Sequence, residues 1–302
     1  MIDLTKSRIF CMGYTVTSLQ KISVRRRLER FRSISLLIFC WLLCSQNALA
    51  NCSRPIQVPV AVSGFSVIAN GSKFSGIMPE FLGQVEAKTN CRFVFYYVPK
   101  NRQEFLFETG KADLLIATVK TDRREKYGHF IPLIQLRATL ISVEGKHPAI
   151  QSAKDLISRP KLKLVVVRGY DYGPIYRNIL EEMKALGRLT VETDPISAGR
   201  LMQNNANYVT IMAPTLFSGV VQTEEILKNL RGKLRFEKLD DLPWNESGIY
   251  VSKTSLSPDD QLYLKTQFEK YASTDAVWKT YLSYYTPEVV RLGLRQRQLA
   301  IP

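Results

Sequence analysis

The sequence predicts an α/β protein built from two lobes. Short apolar runs alternate with amphipathic stretches along most of its 302 residues, which is the pattern of strands and helices in an α/β fold. The alternation falls into two series, one from Ile56 to Thr121 and one from Leu162 to Met212. No low-complexity tract and no linker rich in proline or glycine separates them. We therefore expect ordinary strands to cross between two lobes, with no flexible tether.

The first series predicts three strands and two helices. The strands are expected at Ile56–Val62, Arg92–Val98 and Asp113–Thr118, the last a continuous apolar run of the kind found in parallel sheets. The helices are expected at Gly76–Ala87 and Asn101–Thr109. The first of these helices has apolar residues four apart on one face. Thr121 is expected to cap a further short helix.

The second series predicts strands at Leu162–Val167, Leu189–Glu192 and Tyr208–Met212. Pro174 fits the first position of a helix between the first two strands, and Gly187 ends that helix. Three more helices are expected to begin near Pro258, Asp275 and Pro287.

Residues 1–50 are predicted to be a cleavable secretory signal peptide. A basic stretch from Arg25 to Arg32 precedes an apolar run from Ile34 to Cys44, and Ala48-Leu49-Ala50 supplies small residues for cleavage. The apolar run has about half of the roughly 20 residues that span a bilayer. The alternative is an N-terminal anchor that stays uncleaved. Cleavage would leave a mature chain that starts near Asn51, outside the cytoplasm.

The mature chain is basic. Residues 1–50 carry eight Lys or Arg and two Asp or Glu, so their removal lowers the formal charge from +15 to +9. This excess suits an anionic ligand or a negatively charged membrane surface, and it also suits nucleic acid. However, the basic residues are scattered, with no basic stripe interleaved with aromatic residues. We therefore expect no nucleic-acid partner.

Two of the five cysteines, Cys52 and Cys91, lie in the mature chain. An even pair in an oxidising compartment favours a disulfide bond. Cys52 lies just before the first predicted strand and Cys91 just before the second, and neighbouring parallel strands begin at the same edge of a sheet. We predict a Cys52–Cys91 bond, with two unpaired buried thiols as the alternative.

The common signatures of enzymes and of metal or cofactor sites are missing. The mature chain has two histidines, His129 and His147, and neither belongs to a cluster with metal-ligand spacing. The sequence has no G-x-S-x-G motif, no phosphate-binding glycine loop and no dinucleotide fingerprint. We therefore predict a protein that is not an enzyme and that needs neither metal nor cofactor.

The stretch from Gly71 to Val143 resembles a known family. It runs GSKFSGIMPEF, then YYVPKNR, then ETGKADLLIATVKTDRREKYGHFIPL. Its landmarks are Gly76 with Glu80, Gly110 with Asp113, Thr121 with Arg124, and Phe130 with Pro132. Their order and spacing resemble the first lobe of the family 3 bacterial solute-binding proteins, the periplasmic receptors of polar amino acid ABC transporters.

This resemblance implies a periplasmic binding protein-like fold of type II, in which two α/β lobes are joined by two crossing strands and a ligand cleft lies between them. It places lobe 1 at residues 51–141 and 243–302, and lobe 2 at residues 142–242. The crossing segments are expected near Thr139–Val143 and Leu242–Ile249. The resemblance also implies a monomer that binds a small molecule and an ABC transporter permease.

In lobe 1, the expected ligand site lies after the third strand. Thr121, as an N-cap, would leave backbone N–H groups facing the sheet edge, and Arg124 would offer a two-pronged donor to a carboxylate. The alternative for Arg124 is a surface salt bridge. Val119, Ser63 and Phe65 are expected at the same site, with a core position as the alternative for Phe65.

In lobe 2, the expected site residues are Tyr170, Asp171, Tyr172 and Met212. The three consecutive residues occupy a turn where the family has a small Gly-Thr or Gly-Ser pair, and the tyrosines would contact a ligand or pack the rim of the lobe. Met212 stands where the family usually has an acid for the amino group of the ligand. A buried ammonium would lack its partner there, so the expected carboxylate ligand need not be a standard α-amino acid.

The predicted function is capture of a small, amino acid-like carboxylate solute in the periplasm and its delivery to an ABC transporter. Two alternatives share the fold. One is a periplasmic enzyme of the cyclohexadienyl dehydratase type, for which Glu80, Asp171 and Tyr170 are the candidate acids or bases. The other is a sensory receptor that works without a transporter.

Overall fold

The computed structural model describes residues 52–239 and 242–297. The predicted signal peptide, residues 1–50, lies outside the described residues. Within the described ranges, no helix combines the length and the apolar character that crossing a bilayer requires.

Strands and helices alternate along the chain. The strands are β1 (Ile56–Val60), β2 (Ile68–Asn70), β3 (Lys73–Ser75), β4 (Phe93–Tyr97), β5 (Leu114–Val119), β6 (Gly128–Leu136), β7 (Thr139–Val143), β8 (Lys163–Val167), β9 (Leu189–Glu192), β10 (Tyr208–Met212), β11 (Leu234–Glu237), β12 (Asn245–Ser252) and β13 (Leu294–Gln296). The helices are α1 (Ile77–Thr89), α2 (Lys100–Glu108), α3 (Asp122–Glu125), α4 (Ala153–Ser158), α5 (Pro174–Ala185), α6 (Pro195–Asn204), α7 (Pro214–Thr223), α8 (Pro258–Ala272), α9 (Ala276–Tyr284) and α10 (Pro287–Gly293), with a 3-10 helix at Glu225–Leu230.

Lobe 1 consists of β1 to β6, β12 and β13 with their helices. Strands β1 and β4 pair in parallel, while β13, β6, β12 and β5 form an antiparallel sheet in that order. Asp113 joins the two sheets, because its N–H donates to the Gln57 carbonyl at 3.0 Å and its carboxylate accepts from the Gln57 N–H at 2.7 Å. Helices α1, α8 and α9 pack against one another over the main core of this lobe.

Lobe 2 is a five-stranded sheet in the order β11-β7-β10-β8-β9. Strand β8 is parallel to both of its neighbours, and β7 is antiparallel to both of its own. Separate apolar cores cover the two faces. Helix α5 contributes Tyr176, Ile179 and Met183 to one core, and α7 contributes Phe217 and Val220 to the other.

One sequence-based expectation is wrong in the pairing of β5. The apolar run at Asp113–Thr118 is a strand as predicted, but its ladder with β12 is antiparallel. The run is apolar on both sides because both faces of β5 are covered. Leu114 and Ile116 belong to the main core of lobe 1, and Leu115 belongs to a small core beneath α2. A continuous apolar run indicates that both faces of a strand are buried. This is true of a strand in a parallel sheet and equally of β5 in this antiparallel sheet.

The chain passes between the lobes at residues 137–138, after β6, and a second time between β11 and β12. Thr139–Val143, expected as a crossing segment, lies wholly within the sheet of lobe 2 as β7. Trp244, on the second crossing, has the guanidinium of Arg137 from the first crossing 4.7 Å from its ring centroid, and that of Arg295 at 4.0 Å. A third connection runs through the C-terminal segment, since α10 packs on α7 of lobe 2 while β13 pairs with β6 of lobe 1.

The predicted disulfide is confirmed. Cys52 and Cys91 are bonded, with 5.0 Å between their Cα atoms. The bond joins the residues that precede β1 and β4, and these are parallel neighbours whose register pairs Ile56 with Phe93. The shared sheet edge therefore places the two cysteines side by side.

Candidate functional site

A cavity of about 50 Å³ lies between the lobes, beside the carboxyl ends of β1, β5, β8 and β10. Both lobes contribute to its wall. Its polar lining is Ser63, Ser66, Lys100, Thr118, Arg124, Tyr170, Asp171, Tyr172, Thr215, Ser247 and Tyr281, and its apolar lining is Ala117, Val119, Ile134, Leu136, Ala213 and Leu216. Hydroxyl groups therefore dominate the polar wall, together with two cations and one carboxylate.

The lobes are closed on each other beside this cavity. The loop after β1 and helix α7 touch backbone to backbone: a Cβ placed on Gly219 would lie 2.6 Å from the Phe65 nitrogen and 2.8 Å from the Gly64 Cα. The turn after β8 approaches α2 in the same way, because a Cβ on Gly169 would lie 3.3 Å from the backbone of Asn101. The absence of side chains at Gly64, Gly219 and Gly169 permits the closed arrangement.

Arg124 lies in the wall of the cavity but is bound to a protein carboxylate. Its side chain is 1% exposed. Its Nε and Nη2 donate to the two oxygens of Glu104 at 3.0 and 2.9 Å, and its Nη1 donates to the Val119 carbonyl at 2.8 Å. These bonds use three of the five N–H groups of the guanidinium. The two prongs of Arg124 that were predicted to bind a ligand carboxylate are bonded to Glu104, so the salt-bridge alternative is present here in a buried form.

Lys100 adds a second buried cation to the same cluster. Its Nζ lies 3.0 Å from Glu104 Oε1 and 3.0 Å from Gln103 Oε1. Burial lowers the pKa of Lys100, although the charge of Glu104 opposes the shift. For Glu104, burial alone would raise the pKa, but the charges and hydrogen bonds of Lys100 and Arg124 outweigh it and lower the pKa to about 2. Glu104 is therefore ionised throughout the physiological range.

The start of α2 explains why these groups converge. The helix begins after Pro99, and Lys100, Gln103 and Glu104 follow at the spacing that places side chains on one helical face. All three are buried. Gln103 anchors this face to β1 through a bond from Nε2 to the Pro59 carbonyl at 2.8 Å. The polar face of α2 is thus turned inward, toward the cavity.

The end of β5 sets the opposite side of the cluster. Ala117 has φ +51°, a left-handed conformation that costs a residue with a Cβ roughly 1–2 kcal/mol. It lies beside a register shift between β5 and β12. This irregularity occurs where Thr118 and Val119 enter the cavity wall. Local strain of this kind is often found at functional sites.

Asp171 is the other carboxylate of the cavity, and it too has a cationic partner. Both of its oxygens accept from Arg177 Nη1, at 2.9 and 2.7 Å, and Oδ1 also accepts from the Gly173 N–H at 2.9 Å. Nearby, the Tyr172 hydroxyl accepts from the Ala213 N–H at 3.3 Å, and burial raises the pKa of Tyr172 to about 12. Among the described residues, the Tyr170 hydroxyl has no hydrogen-bond partner.

The structure brings six of the sequence-predicted site residues to the cavity: Ser63, Val119, Arg124, Tyr170, Asp171 and Tyr172. Thr121 caps α3 as predicted, since its hydroxyl accepts from the Arg124 N–H at 3.3 Å. However, its own N–H donates to the Tyr250 hydroxyl at 3.1 Å, and Thr121 is not part of the cavity wall. Its backbone donor is therefore occupied within lobe 1.

Phe65 and Met212 lie away from the cavity. The Phe65 ring packs against Tyr284 and Tyr285, at 5.4 Å from each ring centroid, which is the core alternative considered for it. Met212 is fully buried in the core formed with α7. Strand residues alternate between faces, and the face that carries Met212 is turned into lobe 2.

Sequence reasoning missed Lys100 and Glu104. The predicted helix started one residue late, at Asn101, and a polar helix face is normally solvated. The four-residue spacing of Lys100 and Glu104 was a visible signal for an ion pair. The sequence does not show that this ion pair is buried against Arg124, because Arg124 lies twenty residues after Glu104 on another element. Glu80, a candidate acid, is not in the cavity wall, and its Oε1 accepts a short hydrogen bond from the Tyr284 hydroxyl.

In the described ranges, 52–239 and 242–297, no group of three or more His, Cys, Asp or Glu side chains is placed to hold a metal ion. No family model matches the chain. No curated protein sequence matches it either.

Solved structures share the fold. An amino acid ABC transporter substrate-binding protein from Streptococcus pneumoniae, bound to L-arginine, is 16% identical, covers 80% of this chain and 95% of its own, and has a TM-score of 0.58. An ancestral amino acid-binding protein, a precursor of cyclohexadienyl dehydratase, is 13% identical with coverages of 77% and 96% and a TM-score of 0.60. A histidine kinase sensor domain with similarity to periplasmic binding proteins is 15% identical with coverages of 81% and 98% and a TM-score of 0.58. The chain therefore has the two-lobed α/β fold of type II periplasmic binding proteins.

Proposed function

We propose that this chain is a periplasmic solute-binding protein that captures a small carboxylate-bearing solute between its lobes and delivers it to an ABC transporter. The observation that carries the proposal is the cavity between the closed lobes, where two buried cations, Lys100 and Arg124, share one acid, Glu104. A buried excess of positive charge is costly unless an anion compensates it. A carboxylate ligand would supply that compensation.

Binding is favoured over catalysis because the two carboxylates beside the cavity, Glu104 and Asp171, are already bonded to protein cations. A general base works best when its pKa lies near the operating pH. Glu104 has a pKa of about 2 and is fully paired, and Asp171 is bonded to Arg177. The cavity hydroxyls and the two remaining N–H groups of Arg124 suit a polar ligand, and they need no proton transfer to bind it.

Ligand capture would shift the lobes toward the closed form by mass action. The site residues proposed to contact the ligand are Lys100, Arg124, Ser63, Tyr170 and Tyr172. The disulfide supports an oxidising compartment, in agreement with a signal peptide at residues 1–50. The neighbour from Streptococcus pneumoniae supports a transporter partner. The likeness to a histidine kinase sensor domain supports a second candidate, a receptor that reports the same ligand to a signalling partner.

The test is ligand binding by the purified protein. Native mass spectrometry would weigh any co-purified molecule, and a library of amino acids and other small carboxylates would be screened by thermal shift and isothermal titration calorimetry. We expect one or more carboxylates to bind, and Lys100→Met to weaken that binding by about tenfold or more because it removes a buried cation. Lys111→Met, which removes an exposed lysine just after α2, is the matched control.

The proposal fails if no carboxylate binds the folded protein. It also fails if Lys100→Met, with an unchanged circular dichroism spectrum, binds the carboxylate as tightly as the original protein does. A permease partner would be tested separately, by transport in cells with and without the gene for this chain.

A further inference from the structure

The charges around the cavity do not cancel. Lys100 and Arg124 are cations in the wall, and Asp171 is the carboxylate in the wall. Their direct partners are Glu104, which contacts both cations, and Arg177, which contacts Asp171. Asp171 and the 53% exposed Arg177 form a pair with no net charge, and the buried Lys100, Arg124 and Glu104 carry two positive charges and one negative one. The cavity therefore has a net charge of +1 without a ligand.

Arg123 does not change this result. It contacts Glu104 at 3.3 Å, but 53% of its side chain is exposed, and it also pairs with Glu108 at 3.2 Å. Solvent screens such an exposed charge, and Glu108 balances it. The buried cluster alone determines the charge that a ligand in the cavity meets.

Glu104 has no capacity left for an ammonium group. Its Oε1 accepts from Arg124 Nη2 and contacts Lys100 Nζ, and its Oε2 accepts from Arg124 Nε and from Arg123 Nη2. Two oxygens offer about four acceptor positions, and all four are occupied. Asp171 keeps one acceptor position, but Arg177 already neutralises its charge. A ligand ammonium would thus enter a site of net positive charge with no unpaired acid to receive it.

We propose that the ligand is a small monoanion without an ammonium group, of the 2-hydroxycarboxylate class, and that Glu104 determines this selectivity by holding the cavity charge at +1. This inference rests on the proposed solute-binding function. A monoanion brings the cavity to neutrality, whereas a zwitterion leaves +1, a cationic amino acid raises it to +2, and a dianion reverses it to −1. The cavity wall also carries the hydroxyls of Ser63, Thr118, Thr215 and Ser247, which can exchange hydrogen bonds with a ligand hydroxyl.

The first test compares matched pairs on the purified protein by isothermal titration calorimetry. The pairs are lactate with alanine, glycerate with serine, and 2-hydroxy-3-phenylpropanoate with phenylalanine, together with malate as a dianion and arginine as a cation. We expect the best hydroxy acid to bind about tenfold or more tightly than its amino counterpart, because the ammonium of the amino acid would add an uncompensated positive charge to a buried cationic site.

An amino acid that binds as tightly as its hydroxy counterpart, or more tightly, overturns this inference and leaves the solute-binding function standing. If neither these probes nor the wider carboxylate library bind, the solute-binding function itself fails, and the inference with it. The two failures are therefore distinguishable.

The second test changes the charge of the cavity. Glu104→Gln raises it to +2, so the preference for lactate over malate should shift toward malate by about tenfold or more. Glu269→Gln, which neutralises an exposed glutamate of α8 outside the cavity wall, should leave the preference unchanged. An unchanged preference in Glu104→Gln refutes the role of Glu104. If that variant does not fold, Lys100→Gln serves instead: it lowers the charge to zero and should weaken the hydroxy acid more than its amino counterpart. Equal weakening would contradict the proposal.

Discussion

Substitution of Gly219 by alanine should hold the lobes apart. Gly219 lies within α7 of lobe 2 and faces the loop after β1 of lobe 1. Alanine suits the conformation of a helix better than glycine does, by up to about 1 kcal/mol. The substitution therefore leaves lobe 2 intact or slightly more stable, and its cost arises only where the lobes meet.

The size of the effect follows from the contact distances. The new Cβ would lie 2.6 Å from the Phe65 nitrogen and 2.8 Å from the Gly64 Cα, whereas ordinary contacts of a Cβ begin at 3.4 Å. The lobes must therefore separate by roughly 0.8 Å at this point, and the atoms in the way are backbone atoms that cannot rotate aside. Overpacking of this kind costs about 1–3 kcal/mol. If ligand binding requires closure, affinity should fall by roughly 5- to 150-fold.

The assay combines calorimetric titration of the bound carboxylate with small-angle X-ray scattering. Gly219→Ala should bind more weakly and should show a larger radius of gyration in the presence of ligand. Gly83→Ala is the control, because Gly83 also lies in a helix and its Cβ would meet nothing within 4 Å. A Gly219→Ala variant with the original affinity and the original scattering curve would refute the conclusion that close backbone contact governs closure.

Three further predictions concern stability. The pKa of Glu104 is about 2 in the folded protein and 4.5 when unfolded, so its contribution to stability is present above pH 4.5 and is lost as the pH falls toward 2. Urea unfolding should show that the free energy of unfolding falls by about 2 kcal/mol between pH 7 and pH 3, and by less in Glu104→Gln. Replacement of Cys52 and Cys91 by serine should destabilise the protein by about 4 kcal/mol in the chain-entropy model, for a sequence separation of 39 residues; unchanged urea unfolding would show that the bond contributes nothing. Trp244→Ala should lower the free energy of unfolding by about 1–2 kcal/mol, because Arg137 and Arg295 lie over its ring. Urea unfolding in low and high salt should show a salt dependence of this loss that differs from that of Trp278→Ala, because Trp278 has no such pair of cations among the described contacts.

The residues in and near the cavity differ in how well the sequence alone predicts their contacts. The N-cap role of Thr121 was predictable because the cap and its partner, the Arg124 N–H, are three residues apart. The position of Arg124 beside the cleft followed from the family resemblance. Its bond to Glu104 could not be predicted, because α2 and α3 are separate elements that only the tertiary fold brings together. For Phe65 the core alternative is the one present, and Met212, at the end of β10, faces the core of lobe 2. Local pattern leaves both choices open, because only packing decides which way such a residue faces.

The sequence by itself determined the α/β fold class, the positions of most strands and helices, and the pairing of Cys52 with Cys91. Each of these depends on apolar periodicity, caps and neighbouring strands, which short-range patterns encode. Tertiary structure alone decided that β5 runs antiparallel to β12, that α10 packs on lobe 2, and that Glu104 occupies the guanidinium of Arg124. Those outcomes depend on contacts between segments that are distant in the sequence. Many tertiary pairings satisfy the same local pattern, and the burial of charges and apolar surface selects one pairing among them.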